Sequence, residues 1–263
     1  MILPEFLVAI ILGLINGLTE FLPVSSTGHL IIAEKILGVS QEKFGLTFDA
    51  AVHLGTAVAV LGYFWQEWLQ IIKGNKGKLG RYLLIATVPA ALIGLKFEKT
   101  IETAFRQPWV VAVTLIIGGL IIYLAERIGK KKKKIGEIGG IGGFGIGLSQ
   151  SLALIPGISR SGITIATGMF FGFTRKSAAE FCFLLSGPIV LGAGGKKFLD
   201  VIGSFVGGSL SNTDFEFFLV GILTAALAGW LAIRFLMKYV TGHSLNIFVV
   251  YRIILAIAIL IFL

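Results

Sequence analysis

Residues 19–29 read T-E-F-L-P-V-S-S-T-G-H, a carboxylate, several hydroxyls and an imidazole set between the apolar runs Phe6–Ile15 and Leu30–Ile36. The fold turns on whether this polar stretch lies in water or at membrane depth. Phe6–Ile15 would make a helix about 15 Å long at 1.5 Å per residue, half of the roughly 30 Å that a span must cross. The stretch therefore predicts a helix that enters, breaks at a polar turn and returns. Non-helical backbone is tolerated at that depth only where protein or a water-filled cavity surrounds it.

The rest of the chain supports the lipid setting. Of its 263 residues 56% are hydrophobic and only 14% charged, with a mean hydropathy of +0.91. Soluble domains run at about 45–50% apolar and about 25% charged. Val110–Leu124 carries no charge, Phe215–Ile233 carries only Glu216 and Ile247–Leu263 only Arg252. Helical spans are expected near 48–72, 82–98, 108–128, 177–198, 214–238 and 246–263. The N-terminus M-I-L-P-E-F has an acid where a cleavable signal would have a basic region, so no signal peptide is expected. The single cysteine, Cys182, excludes an internal disulfide and a cysteine-based metal cluster, and reads as packing.

The net charge of +9 does not point to nucleic acid. Its basic residues concentrate in K-G-N-K-G-K-L-G-R (73–81) and K-K-K-K-K (130–134), as cytoplasmic loops beside spans do. Two spans separate these loops, so they share a face, and counting outward puts the C-terminus on the outer face. Membrane lipids are expected partners, and Lys130–Lys134 suits anionic headgroups.

The polar hairpin has a weak echo. Residues 138–173 again run from a glycine-rich apolar helix through P-G-I-S-R-S-G into I-T-I-A-T-G-M-F-F. A shift of 134 pairs Gly13 with Gly147, Leu14 with Leu148, Asn16 with Gln150, Ser25 with Ser159 and Gly28 with Gly162. Each copy precedes about three spans, and an odd number inverts the second copy relative to the first. Inverted repeats with broken helices bring their polar turns together near the midplane. The expected fold is an all-α integral membrane protein with about six transmembrane helices. Two re-entrant helix-turn-helix hairpins complete one domain, 1–263, in inverted halves of roughly 1–128 and 138–263.

S-S-T-G and S-R-S-G each sit where a helix begins after a break, and helix N-termini suit anions. Ser25, Ser26 and Thr27 also read as plain N-caps. Capping leaves Glu20, His29 and Arg160 unexplained, and ionisable residues at membrane depth are costly and functional by default. Together they offer a nucleophile, an acid/base group and an anion clamp, a set that fits phosphoryl transfer.

These residues carry a resemblance. G-L-T-E-F-L-P-V-S-S-T-G-H (17–29) and P-G-I-S-R-S-G (156–162), supported by F-D-A-A-V-H-L-G-T (48–56) and A-E-F-C-F-L-L-S-G-P (179–188), resemble the undecaprenyl-diphosphate phosphatase family of the bacitracin-resistance type. The likeness covers essentially the whole chain. It implies hydrolysis of a polyprenyl diphosphate lipid carrier for cell-wall synthesis, in the plasma membrane, at a site open to the outer face. It further implies Glu20 in metal binding or proton transfer, Ser26 as nucleophile, His29 as catalytic histidine and Arg160 as phosphate clamp. Asn16, Ser25, Thr27, Gly28, Ser159, Ser161 and Gly162 are expected around the substrate, and a divalent cation, Mg2+ or Ca2+, as cofactor. A homodimer is left open.

One position departs from the family pattern. Asn16 stands where the family's acidic motif has Glu or Gln; it can bind a phosphate, a water or a metal but cannot act as a base. Ser26 either attacks phosphorus or positions the water that does, with Glu20 or His29 moving the proton. Asp49 and His53, four apart on one helix face, read equally as cavity lining or as a structural pair. His243 carries no chemical argument. The rival from another class is a transporter or lipid flippase, because inverted repeats are also a transporter architecture. A purely structural subunit would leave Glu20 and Arg160 without a reason.

Overall fold

A residue ahead of proline is pushed out of the α region, and this breaks the chain at two related places. Leu22, before Pro23, is extended at φ −71° and ψ 142°; Ile155, before Pro156, is extended at φ −77° and ψ 119°. The computed structural model describes residues 4–39, 46–208 and 212–263. Its helices are α1 (Glu5–Phe21), α2 (Ser26–Leu37), α3 (Leu46–Tyr63), α4 (Trp65–Ile72), α5 (Gly77–Ala104) and α6 (Pro108–Ile128). They continue with α7 (Gly140–Ser151), α8 (Arg160–Phe170), α9 (Arg175–Val206), α10 (Asn212–Tyr239) and α11 (Asn246–Phe262). Short 3-10 turns, Ile135–Glu137 and Leu152–Leu154, flank α7.

Among the described residues the architecture is all-helical, and three helices contain stretches long and apolar enough to cross a membrane: Gly77–Phe97, Pro108–Ile128 and Phe215–Tyr239. Ala51–Tyr63 and Asn246–Phe262 are shorter apolar helices. The expected span 48–72 is two helices, because the chain turns at Phe64 (φ −102°, ψ 25°). Many large apolar side chains face outward, among them Leu84, Leu92, Leu120, Leu223 and Ile254. Such a surface belongs against lipid tails rather than water, and the protein is membrane-embedded.

The halves do not pack as separate bundles. The first helix of each hairpin lies against a long helix of the other half: α1 on α10, and α7 on α5. Small residues permit the approach. A Cβ at Gly13 would meet the Gly221 carbonyl oxygen at 2.6 Å, and one at Gly147 would run into the backbone of Ala86. Gly13 and Gly147 are partners in the internal repeat. The core centres on α9, where Phe183 meets Phe21 edge-on at 5.4 Å.

Both hairpin tips are held by one side chain that the apolar helix α11 delivers. Arg252 is fully buried. Its Nε donates to the Leu115 carbonyl (2.9 Å) and its Nη1 to the Pro23 carbonyl (3.1 Å). Its Nη2 donates to the Gly157 and Ile158 carbonyls (2.7 and 3.0 Å). Pro23 belongs to the first tip, and Gly157 and Ile158 to the second. Room for this requires a glycine at 118, where a Cβ would collide with the guanidinium. Gly157 itself has φ +97° and presses against Thr114, a left-handed position that favours glycine.

At one end of the fold Glu126 ties four segments together. It accepts from Arg175 Nε and Nη2 (2.7 and 2.6 Å), Lys131 Nζ (2.9 Å) and the Leu245 amide (2.8 Å). The lysine run is therefore not a free loop at Lys131.

Arg252→Met keeps the apolar stem but removes the donors, orphaning at least three buried carbonyls at about 1–3 kcal/mol each. The expected outcome is a fall of several degrees or more in the melting temperature of detergent-purified protein. An unchanged melting temperature would show that the tips do not depend on Arg252.

Candidate active site

The two tips share a local geometry. Ser25 (φ 74°, ψ 95°) precedes α2 and Ser159 (φ 74°, ψ 115°) precedes α8. A positive φ is uncommon for a residue with a Cβ, and here it occurs at corresponding places. Each serine Oγ caps its helix, Ser25 accepting from the Gly28 amide (3.4 Å) and Ser159 from the Gly162 amide (3.1 Å). The tips also bond to one another. The Gly157 amide donates to Ser25 Oγ at 3.1 Å, and Ser161 Oγ donates to the Leu22 carbonyl at 2.9 Å. Ser159 Oγ lies 3.2 Å from Ser161 Oγ. Among the residues expected around a phosphate, Ser25, Ser159, Ser161, Gly28 and Gly162 take part in capping the helices and joining the tips.

The junction brings Glu20, Ser26, Arg160 and His53 together. Glu20 projects from the last turn of α1 and is buried. Its Oε1 accepts from Arg160 Nη2 at 2.7 Å, and its Oε2 accepts from the Ser26 hydroxyl. His53 Nε2 lies 3.3 Å from the same Oε2. Ser26 and Arg160 are the first residues of α2 and α8, at the ends where the helix dipoles are positive. Arg160 Nε and Nη1 are buried without a partner. Buried polar atoms are nearly always bonded, so these two donors are available to an acceptor such as a water or an anionic oxygen.

Asn16, one helical turn before Glu20 on α1, is fully buried, and neither carboxamide atom has a partner. Gln150, its counterpart in the repeat, is likewise buried and unpartnered. Among the described residues no group of three His, Cys, Asp or Glu side chains is placed to hold a metal. The oxygen ligands that α1 offers there, one helical turn apart, are the Asn16 carboxamide and the Glu20 carboxylate. Mg2+ is commonly held by one or two protein oxygens with substrate phosphates and waters completing the shell, and this sparse set fits that pattern.

His29 is engaged elsewhere. Its Nδ1 lies 2.7 Å from the Ser25 carbonyl and its Nε2 2.7 Å from the Tyr251 hydroxyl. Its ring lies parallel to that tyrosine, with centroids 5.7 Å apart. Thr27 is half-buried on the first turn of α2. The side chain in direct contact with Ser26 is Glu20, not His29.

Sequence reasoning set aside His53 and counted Arg252 only as an interruption. The expected Asp49–His53 pairing exists, but through the backbone: His53 Nδ1 bonds the Asp49 carbonyl oxygen. The Asp49 carboxylate instead pairs with Arg106 at 3.0 Å, and Arg106 reaches Glu34 at 3.5 Å. The available signal for Arg252 was a lone charge inside an apolar helix. Cys182 packs in the core, 2.9 Å from Thr164 Oγ1. His243 rests on Tyr239 in an exposed loop.

Comparison with known proteins places the chain in a family. Residues 9–258 match the model of the family described as bacitracin resistance protein BacA. A protein of Rubrobacter xylanophilus called undecaprenyl-diphosphatase is 43% identical, over 96% of this chain and 96% of its own length. Proteins of the same name from Desulforudis audaxviator (43% identical, 96% and 95% covered) and Moorella thermoacetica (41%, 94% and 94%) are similarly alike. Matched from Ala9 in α1 to Ala258 in α11, and therefore across both tips and the arginine that joins them, the chain belongs to the bacitracin resistance protein BacA family.

Proposed function

We propose that this chain hydrolyses undecaprenyl diphosphate, or a polyprenyl diphosphate of similar length, to the monophosphate and orthophosphate, so recycling the lipid carrier for cell-wall synthesis. The observation that carries this reading is the Ser26–Glu20–Arg160 junction, with a hydroxyl on a carboxylate and a half-free guanidinium beside it. Family membership and the name shared by the relatives supply the substrate. A transporter needs the anion clamp but has no use for a hydroxyl on a carboxylate base.

The chemistry follows from the contacts. The diphosphate headgroup enters between the tips while its tail stays in lipid, and its terminal phosphate takes the unpartnered Arg160 Nε and Nη1. Ser26 Oγ attacks the terminal phosphorus as its proton passes to Glu20 Oε2. The bond from phosphorus to the bridging oxygen breaks, and the lipid monophosphate leaves with the electron pair. Water then attacks the phosphoserine, releasing orthophosphate and restoring the hydroxyl. Such transfers depend mainly on positioning and charge neutralisation. A divalent cation, Mg2+ or Ca2+, would sit against Asn16 and Glu20 and neutralise phosphate charge when bound.

The membrane arrangement we propose is six spans, α3 with α4, α5, α6, α9, α10 and α11, with two re-entrant hairpins, α1–α2 and α7–α8. The halves, roughly 1–128 and 138–263 of one domain, would be inverted. The loops 73–81 and 130–134 then face the cytoplasm of a plasma-membrane protein, and the site opens outward. Support comes from the basic loops and from the matching caps at Ser25 and Ser159.

The direct test incubates detergent-purified protein with a long-chain polyprenyl diphosphate and measures released orthophosphate. Ser26→Ala and Arg160→Ala are each expected to lower release by about 100-fold or more. Near wild-type turnover in either variant would remove the role assigned to that residue.

Chelation is expected to stop release, and added Mg2+ to restore it. Asn16→Asp adds a charge beside the cation and is expected to lower the Mg2+ concentration giving half-maximal release. An unchanged Mg2+ titration would place the cation away from Asn16.

A further inference from the structure

Both oxygens of the Glu20 carboxylate are gripped, and only one of the grips concerns phosphate. Arg160 holds Oε1, while Oε2 faces Ser26 and also His53. The imidazole is itself fixed. A carbonyl oxygen only accepts, so the nitrogen that bonds the Asp49 carbonyl, Nδ1, carries a hydrogen. Nε2 then faces a carboxylate oxygen across 3.3 Å. Two lone pairs would repel there, so a hydrogen lies between them, and with Nδ1 also carrying one the ring is an imidazolium paired with the carboxylate. Asp49, which anchors the ring through its backbone, is tied through its side chain to Arg106.

From this geometry we infer that His53 is a positioning residue for the phosphoryl transfer. Its Nε2–H holds Glu20 Oε2 against the Ser26 hydroxyl. The inference rests on the reading of Glu20 as the base that receives the Ser26 proton. A terminal carboxylate torsion is broad and soft, and Arg160 restrains only the other oxygen. Without His53 the carboxylate can swing about the Arg160 contact and carry Oε2 away from Ser26. His53 gains and loses no covalent bond during the step. The proton moves from Ser26 Oγ to Oε2 while the histidine bond keeps that oxygen in line. Because His53 bonds neither Arg160 nor the unpartnered donors around it, its loss should spare substrate binding.

The experiment measures orthophosphate release, kcat and KM separately, on the purified full chain with a long-chain polyprenyl diphosphate, alongside the melting temperature. His53→Ala is expected to lower kcat by about 30-fold or more, since small misplacements of reacting groups cost up to about 100-fold. Its KM should stay within about threefold of wild type, in keeping with loss of a transition-state contact alone. His53→Gln keeps a donor toward Oε2 and is expected to recover at least about tenfold of that loss, which a space-filling role alone would not require. If His53→Ala does not fold, His53→Leu takes its place: folded and slow beside an active His53→Gln supports the assignment. Turnover of His53→Ala or His53→Leu within about threefold of wild type overturns it, as does a His53→Gln no faster than the donor-free variant. Ser26→Ala is run in parallel. If it is inactive while His53→Ala is fully active, only the positioning role fails; if it too is active, the reading of the site as a whole fails.

Discussion

The fold depends on a guanidinium that has carbonyl oxygens for partners. Breaking a helix inside a membrane strands carbonyl groups that have no water to bond, and burying an arginine strands donors and a charge. Arg252 and the two tips answer each other's need: Pro23, Gly157, Ile158 and Leu115 supply acceptors, and one planar fork supplies donors. Because the acceptors come from both tips and from α6, the arginine also fixes how far apart the tips sit. A lysine carries the same charge but lacks the planar fork that reaches several fixed carbonyls at once.

Once the tips are joined, the chemistry at their junction is constrained. Ser25 and Ser161 lock one tip to the other through backbone groups, so Ser26 and Arg160 cannot drift relative to each other. Glu20 sits between them and bonds both. A buried ion pair such as Glu20–Arg160 is weak evidence for stability, because desolvation offsets much of the attraction. Its meaning lies in what is left over. Arg160 keeps donors unpaired in a place where unpaired donors are costly, in keeping with the anion site proposed for it.

Much of this was legible in the sequence, and the reasons differ by residue. Glu20, Ser26 and Arg160 stood out because polar groups in apolar surroundings carry a visible cost, and the two proline-marked breaks placed them on matching turns. His53 was ambiguous because helix spacing showed that it shares a face with Asp49 but not which atom it bonds. The bond is to a backbone carbonyl, and no residue pattern encodes that. His29 shows another limit of sequence: closeness to Ser26 in the chain does not reveal that its ring bonds the Ser25 carbonyl and Tyr251 on a distant helix. The helix break at Phe64 lacks a proline or glycine at that residue to announce it.

The two tips are alike in backbone and unlike in side chain. The caps repeat: Ser25 and Ser159 share a backbone conformation and a role. The reactive positions do not. Under the same shift of 134, Ser26 falls on Arg160, Glu20 on Leu154 and His29 on Ile163. A faithful repeat would bring like groups to the junction, either two carboxylates or two guanidinium ions, and like charges in a low-dielectric site repel strongly. The differences at these positions place a hydroxyl and a carboxylate on one tip and a cation on the other. The shared backbone geometry supplies the meeting point, and the differences at that point supply opposite charges to meet there. Asn16 and Gln150, which coincide under the same shift, are alike in being buried and without partners. Only Asn16 lies one turn from an acid, so the carboxylate of the junction stands on its side and the guanidinium on the other.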